Sequence, residues 1–349
     1  IQQWIHSLEE GKGSRVLKVV AAILAFAFLA LVYDLRCFKN FSTPEAMDAA
    51  QLARNISEGQ GYTTDYIRPL SVHLLQQHQK EGQTITTPHP DLANAPAYPA
   101  LLAGVMKLVP FNYEINTKTY FGTFRPELWI GILNQTLFFI GVLLVYSLGK
   151  RLFDARIGWL AATLFALTEL FWRFSVSGLS TMFALVVFLL LCRVLLQIQE
   201  HGMATDPNGK KIFLKCLLAG LLLGLLALTR YRFSWLVFPV VMFAGFSLRQ
   251  AQVRNCAAIV LAGALVVAPW LARNYSLSGT LFGTAGYAVY HQTTAFPGNS
   301  IERAIEPDQQ MGLFEVNDVM HKISVNARET LRHLPSLGGS WLTAFFLVG

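Results

Sequence analysis

The segment FSTPEAMDAAQLARNISEGQGYTTDYIRP (residues 41–69) is the polar stretch around which the rest of the chain is arranged. It follows the first long apolar run and opens an extended polar region. Ser42 and Thr43 are suited to cap a helix, Pro44 suits its first turn, and glycines beginning at Gly59 end it. The segment therefore predicts a short helix directly after an apolar run.

Glu45 and Asp48 are acidic residues of this predicted helix. Because they lie three residues apart, their carboxylates are expected to share one face. A carboxylate within hydrogen-bond reach of a hydroxyl or an amine can act as a general base, and two neighbouring carboxylates push their pKa values apart. Ser42 and Glu45 also have the spacing of a capping box, in which Glu45 only stabilises the start of the helix. The sequence leaves both interpretations open.

The composition is typical of a membrane protein with several spans. Hydrophobic residues make up 53% of the 349 residues and charged residues only 14%, whereas about one quarter of a soluble domain is charged. The net charge of +7 comes mostly from short basic segments between apolar runs, which set membrane orientation, so nucleic acid is not an expected partner. The four cysteines show neither metal-ligand spacing nor a disulfide framework.

Long apolar runs predict seven membrane-spanning helices, which lie at 17–33, 127–148, 157–171, 179–197, 212–229, 233–248 and 256–272. Alternating strands of the barrel type are absent from the sequence, and only helices or closed barrels satisfy backbone groups in lipid. A shorter run at 97–109 is bracketed by prolines and has the length of an interfacial or re-entrant segment. The predicted fold class is an all-α polytopic membrane protein, a helical bundle with two large external loops.

The positions of lysine and arginine predict how this bundle is oriented. Basic residues precede the first span and occupy three of the later turns between spans, and such residues favour the cytoplasmic side. All four groups share that side only if the 97–109 run does not cross. The predicted layout is a cytoplasmic N-terminus (1–16), a first span (17–33), an external loop (34–126), a six-span bundle (127–272), a second external loop (273–340) and the start of a further span (341–349), within which we expect the chain to be cut short.

A first set of polar residues in the external segments comprises Asp65, Arg68, His89 and Asp91. Their charged and hydrogen-bonding side chains are candidate contacts for a polar substrate. Two alternatives remain: Asp65 and Arg68 form a surface ion pair, or His89 and Asp91 belong to a metal-ligand set, for which two such residues are weak support.

A second set consists of four arginines at the outer ends of predicted spans, against the positive-inside trend: Arg173, Arg230, Arg232 and Arg273. Arginine binds phosphate bidentately, and a lipid-linked phosphate is the obvious anion at a membrane surface. The alternative is that these side chains extend to lipid headgroups and bind no substrate. Charged residues are scarce in the middle of the spans, which argues against an ion-coupled transporter.

Five segments together resemble one family, the GT-C membrane glycosyltransferases. They are PEAMDAAQLARNISEGQGY (44–62), NAPAYPALLAGVMKLV (94–109), YSLGKRLFDARIGWLAATLFAL (146–167), GLLLGLLALTRYRFSWLVFP (220–239) and APWLARNYSLSG (268–279). Their order and spacing are most similar to the branch of the protein O-mannosyltransferases and the bacterial lipid A aminoarabinose transferase.

This resemblance implies a GT-C-like bundle that transfers a sugar from a polyprenyl-phosphate donor to an acceptor on the external face. It implies an acidic base in the first external loop, where the family has an adjacent Asp-Glu pair. The corresponding position here is Glu45, followed by Ala46, and Asp48 is the nearest second acid. We therefore expect Glu45 or Asp48 to be the base and the outer arginines to bind the phosphate. No cofactor is required by the sequence, although the resemblance also allows a divalent metal.

A competing hypothesis is a catalytically inactive GT-C-like scaffold, or an accessory subunit of a larger membrane assembly. The altered acidic pair is compatible with it, and it predicts that both acids tolerate substitution. A lipid-phosphate carrier is less favoured because the centres of the spans are uncharged. The expected location is the bacterial inner membrane, with the N-terminus cytoplasmic and with membrane lipids around the bundle.

Overall fold

A computed structural model describes residues 12–38, 41–79, 88–109, 111, 113, 124–202, 208–248, 251–293, 295–298, 300–304, 307 and 316–337. Its α-helices are α1 (Lys12–Cys37), α2 (Pro44–Ser57), α3 (Pro69–Gln79), α4 (Ala97–Leu108), α5 (Arg125–Leu152), α6 (Ala155–Leu167), α7 (Glu169–Val176), α8 (Thr181–Gly202), α9 (Gly209–Thr229), α10 (Val237–Ser247), α11 (Gln252–Ser278) and α12 (Val316–Leu337). Two short strands, β1 (Thr63–Thr64) and β2 (His89–Pro90), pair antiparallel, and 3-10 helices cover Tyr231–Leu236, Gly283–Tyr290 and Ser300–Arg303. Most of the predicted N-terminal segment and the whole segment 341–349 lie outside the described residues.

The prediction of an all-helical protein with several membrane-spanning segments is confirmed. Within the described residues, five helices are long and apolar enough to cross a membrane, namely α1, α5, α8, α9 and α11. Several of them extend beyond the predicted runs, because polar residues at their ends continue the helical backbone. The chain is therefore an integral membrane protein.

The predicted span at 157–171 is divided in the structure. Helix α6 ends at Leu167, Thr168 is extended, and α7 begins at Glu169 with its axis bent by 56°. The indole nitrogen of Trp172 donates to the carbonyl of Ala166 at 2.7 Å. This bond satisfies one carbonyl near the break, where the helical ladder is interrupted.

The predicted span at 233–248 is a 3-10 turn followed by the short helix α10. Its first end lies beside the start of α8, because Arg230 donates to Ser180 and Thr181. Its other end lies beside the last residue of α8, where a Cβ atom on Gly202 would approach the Ser247 carbonyl oxygen to 2.9 Å. The segment therefore runs beside α8 from one end of it to the other, although it is too short to be one of the five candidate spans.

Small residues allow α9 and α11 to pack closely. A Cβ atom at Gly220 would come within 2.2 Å of the Ile259 carbonyl oxygen, and one at Gly224 within 2.8 Å of the Gly263 oxygen. Glycines four residues apart bring helix backbones into contact where lipid supplies no hydrophobic driving force. This contact fixes the end of α9, which carries Arg230, beside the end of α11.

The segment between α1 and α5 forms a layer over one end of the bundle. Alanines of α2, including Ala46 and Ala49, pack against Tyr98 and Leu102 of α4. Twelve residues make α4 about 18 Å long, so it is shorter than the roughly 30 Å of a bilayer core. Helix α4 corresponds to the predicted short element at 97–109.

Part of the second predicted loop belongs to the same layer. Leu70 and Leu74 of α3 are buried against Phe296 and Ile301. The β1–β2 pair sets Thr63 opposite Pro90 and thereby holds the two halves of the first loop together. The polar residues of both loops consequently meet at one end of the bundle.

Candidate functional site

Helix α2 carries the two acids and begins as the sequence predicts, with Pro44 in its first turn. Gly59 and Gly61 follow its end with φ of 83° and 76°, a left-handed backbone that glycine adopts without steric cost. The capping box is not formed, because Thr43 is the N-cap and its side chain makes no capping hydrogen bond. The Glu45 side chain is therefore not part of a capping box at the start of the helix.

A cavity of about 870 Å³ lies between α2, α4, the end of α9 and the 3-10 turn that follows it. Its charged lining residues are Glu45, Arg230 and Arg232. Aromatic side chains form much of the remaining wall, and they comprise Tyr98, Tyr231, Trp235, Phe238 and Phe282. The cavity thus combines one carboxylate, two guanidinium groups and an apolar surface.

Arg230 is held in place at the end of α9. Its Nε donates to Ser180 Oγ at 2.9 Å and its Nη2 donates to Thr181 Oγ1 at 3.1 Å. Burial and then the neighbouring charge of Arg232 lower the pKa of Arg230, whereas Glu45 opposes this shift. A partly buried cation beside a second cation favours an anionic ligand.

Asp48 does not line the cavity with Glu45. It is buried, and its carboxylate pairs with the Arg68 guanidinium instead. Arg68 also lies 3.7 Å from Asp91 and 3.6 Å from Glu302. Burial alone would lower the pKa of Arg68, but these three acids raise it. Arg68 therefore joins α2 to residues of both predicted loops.

Asp65 does not pair with Arg68, contrary to one alternative from the sequence. Its side chain is exposed, whereas the Arg68 guanidinium is directed at Asp48. The fold explains this pairing. Helix α2 and the segment after β1 converge, so the buried Asp48 carboxylate lies closest to the Arg68 guanidinium.

His89 and Asp91 also have internal partners. His89 is buried with Nε2 3.1 Å from Ser71 Oγ, and burial lowers its pKa. Asp91 accepts from the backbone N–H of Asn94 at 2.8 Å, and burial raises its pKa despite that bond and Arg68. In the part of the chain that the structure describes, no three His, Cys, Asp or Glu side chains are arranged to hold a metal ion. The acids gathered at Arg68 surround a cation of the protein itself.

Arg273 connects α11 to the segment between α1 and α5 and lies outside the cavity lining. Its Nη1 donates to the Asp91 carbonyl at 2.7 Å and its Nη2 to the Tyr62 carbonyl at 3.2 Å. The guanidinium carbon is 4.6 Å from the centre of the Trp270 ring. Through these contacts Arg273 holds the residues next to β1 and β2 against α11.

Tyr231 is a cavity residue that the sequence analysis did not single out as a site residue. Its hydroxyl accepts from the Trp270 indole nitrogen at 2.7 Å and donates to the Asn94 carbonyl at 3.4 Å. The sequence feature that could have identified it is its position between Arg230 and Arg232, which were predicted to bind phosphate. Tyr231 fixes the turn on which those arginines lie.

The structure thus gathers Glu45, Arg230 and Arg232 around one cavity. It places Asp48, Arg68, His89, Asp91 and Arg273 in the polar layer beside that cavity and leaves Asp65 exposed. No family model, curated protein or solved structure matches the chain.

Proposed function

We propose that this protein is a membrane glycosyltransferase that moves a sugar from a polyprenyl-phosphate donor to an acceptor at the membrane surface. The observation that carries the proposal is the cavity in which Glu45 lies with Arg230 and Arg232. A carboxylate and two guanidinium groups are the charges that an inverting transfer from a sugar phosphate needs.

The proposed reaction is a single displacement at the anomeric carbon of the sugar. The acceptor oxygen or nitrogen forms the new glycosidic bond as the bond from that carbon to the phosphate oxygen breaks. Glu45 takes the proton of the acceptor, which is typically worth about 100- to 10,000-fold in rate. Arg230 and Arg232 stabilise the negative charge that develops on the departing polyprenyl phosphate.

The apolar wall of the cavity suits the lipid part of this donor. Trp235 and Phe238 are 74% and 61% exposed, and both lie where the chain enters the α10 segment. Tyr98 and Pro99 of α4 lie on the cavity wall as well. An isoprenoid chain would enter between α4 and the bundle, with its phosphate at the arginines.

We infer that the cavity end of the bundle faces the outside of a bacterial inner membrane. The basic turns lie at the opposite end, where Arg151 in the last turn of α5 donates to Glu200 near the end of α8 at 2.6 Å. Basic turns favour the cytoplasmic side. This orientation puts the N-terminus in the cytoplasm and the acceptor on the external face.

Transfer of labelled sugar from a membrane lipid extract tests the proposal. We expect the wild-type protein to transfer sugar and Glu45→Gln to lose at least about 100-fold in rate. Glu58→Gln is the matched control, because Glu58 caps the same helix but pairs with Arg54 away from the cavity. Equal transfer by Glu45→Gln and wild type would remove the assignment of the base.

An inactive scaffold or accessory subunit is the second candidate. It is favoured by the separation of Asp48 from Glu45, which leaves one carboxylate in the cavity instead of a pair. Wild-type protein that transfers no sugar but purifies within a stable membrane complex would support it.

A further inference from the structure

Helix α12 presents an apolar stripe that faces away from the protein. Met320, Ile323 and Leu331 are 60%, 56% and 68% exposed. Together with Ala327 they recur at helical spacing and lie on one face. Of the four partly covered positions, Asp318, Lys322 and Val325 lie on the other side of the helix, and Val319 borders the stripe.

The position of α12 follows from its contact with the end of the bundle. Lys322 Nζ donates to the carbonyls of Ala288 and Val289 at 2.8 and 3.0 Å. Those carbonyls belong to the 3-10 helix that starts shortly after α11 ends. The 3-10 helix begins five residues after the candidate span α11 ends at Ser278, and its Ala288 lines the cavity together with Phe238 of the apolar helix α10. Helix α12 is therefore attached at the level where the spans leave the bilayer.

We propose that α12 lies in the plane of the membrane surface and inserts its apolar stripe into the outer leaflet of the bilayer. An amphipathic helix at the headgroup level gains by burying its apolar face at the acyl boundary. Its opposite face carries Lys322, which contacts the protein, and it also carries Arg328 and Arg332, whose guanidinium groups suit lipid phosphates. The bilayer around the spans is the apolar phase that the stripe meets at this height.

The net charge of α12 indicates whether electrostatic attraction to lipid or burial of the apolar stripe contributes more to membrane binding. Described residues of the helix include three lysines and arginines against two acids, Asp318 and Glu329, a net charge of +1 with neutral histidines. Glu329 is paired with Arg332 at 3.3 Å. Attraction to anionic lipid is consequently weak, and the apolar stripe is expected to hold the helix in neutral lipid as well.

Photocrosslinking of the full-length chain in lipid nanodiscs tests this placement independently of sugar transfer. A diazirine-bearing amino acid is introduced at position 323, on the stripe, or at position 328, on the polar face. Position 246 is the positive control, because Phe246 is 85% exposed on α10, a short apolar helix that lies beside the candidate span α8. Lipid adducts are counted by mass spectrometry in phosphatidylcholine with and without phosphatidylglycerol.

We expect lipid adducts at position 323 to approach those at position 246 and to exceed those at position 328 several-fold. Adding phosphatidylglycerol should change the yield at position 323 by less than about two-fold, since the net charge is small. Equal, low yields at positions 323 and 328 would overturn the proposal. Crosslinks from position 323 to a second copy of the chain would overturn it too, and would assign the stripe to a protein interface.

Discussion

Glu45 and Arg230 line the same cavity, although α2 and the end of α9 lie in opposite halves of the chain. Their charges interact: burial and Arg232 lower the pKa of Arg230, and Glu45 opposes that shift. Helix α4 packs beside α2, and α9 is fixed against α11, so both charged groups are carried by packed elements. In the proposed reaction Glu45 is the base and Arg230 binds the phosphate. Packed elements that hold both side chains would keep the two substrates in the geometry that the reaction needs.

Replacement of Arg230 should lower the rate of sugar transfer because phosphate binding is lost and not because the protein unfolds. We expect Arg230→Ala to lower kcat/KM for a lipid-phosphate sugar by about 100-fold or more, because a charged donor aimed at the leaving group is lost. Arg230→Lys should recover little, since Lys lacks the planar fork that also reaches Ser180 and Thr181. Steady-state kinetics with a synthetic donor measures both. Arg173→Ala is the control, because Arg173 is an exposed arginine paired with Glu169; equal losses in the two alanine variants would contradict a specific role.

Asp48 should matter for stability and little for chemistry. Asp48→Ala leaves the buried Arg68 guanidinium with the more distant Asp91 and Glu302. Breaking a buried ion pair typically costs 3–5 kcal/mol, and we expect about 3 kcal/mol here because those acids remain. Thermal unfolding in detergent measures the loss, and Asp65→Ala is the exposed control. Transfer per folded molecule that falls as far in Asp48→Ala as in Glu45→Gln would contradict this assignment.

The layer over the end of the bundle should become less stable to local unfolding in mild acid. Burial lowers the pKa of both His89 and His291 below the usual 6.5, and around His291 Glu302 opposes the shift while Lys322 adds to it. The unfolded chain then binds more protons below pH 6.5, so the stabilisation present above 6.5 is lost as pH falls. Asp91, whose pKa is raised by burial, has the opposite effect in the window that starts at 3.8.

Hydrogen exchange of α3 and of the β1–β2 pair measures this pH dependence. We expect faster exchange at about pH 5.5 than at about pH 7.5 after correction for intrinsic rates, and a smaller difference in His89→Gln. The same protection at both pH values in the wild type would show that neutral His89 and His291 do not support the layer.

The contact between α9 and α11 should not tolerate a side chain at Gly220. A Cβ atom there would meet the Ile259 carbonyl oxygen at 2.2 Å, so Gly220→Ala forces the helices apart and costs about 1–3 kcal/mol or more. Gly245→Ala is the matched control, because a Cβ atom at Gly245 in α10 meets nothing within 4 Å. Thermal unfolding of the two variants in detergent provides the comparison, and equal stability would contradict the close packing.

Much of the fold is predictable because lipid leaves few choices. Apolar runs of sufficient length become helices, and prolines around α4 mark it as short. The break at Thr168 was missed because no proline or glycine lies there; the bend depends on packing around Trp172. Helix α12 was also missed, although the helical recurrence of Met320, Ile323 and Leu331 could have revealed it.

The site was predictable in chemical type and less so in arrangement. The proline in the first turn of α2, the glycines after its end and the location of Arg230 at the end of α9 are local features, so the sequence indicates them directly. The contact of Arg68 with Asp48 depends on how α2 and the external segments converge. Spacing along the helix predicts Asp48 beside Glu45, but the Asp48 carboxylate pairs with Arg68, which lies 20 residues further along the chain.

A single-turnover measurement tests the central claim most directly. Protein saturated with a labelled polyprenyl-phosphate sugar is mixed with membrane acceptor, and transfer is followed for wild type and Glu45→Gln while donor binding is measured separately. We predict transfer by the wild type and at least about a 100-fold slower rate in Glu45→Gln with donor binding retained. Equal rates in the two proteins, or donor binding with no transfer by the wild type, would contradict a glycosyltransferase in which Glu45 is the base.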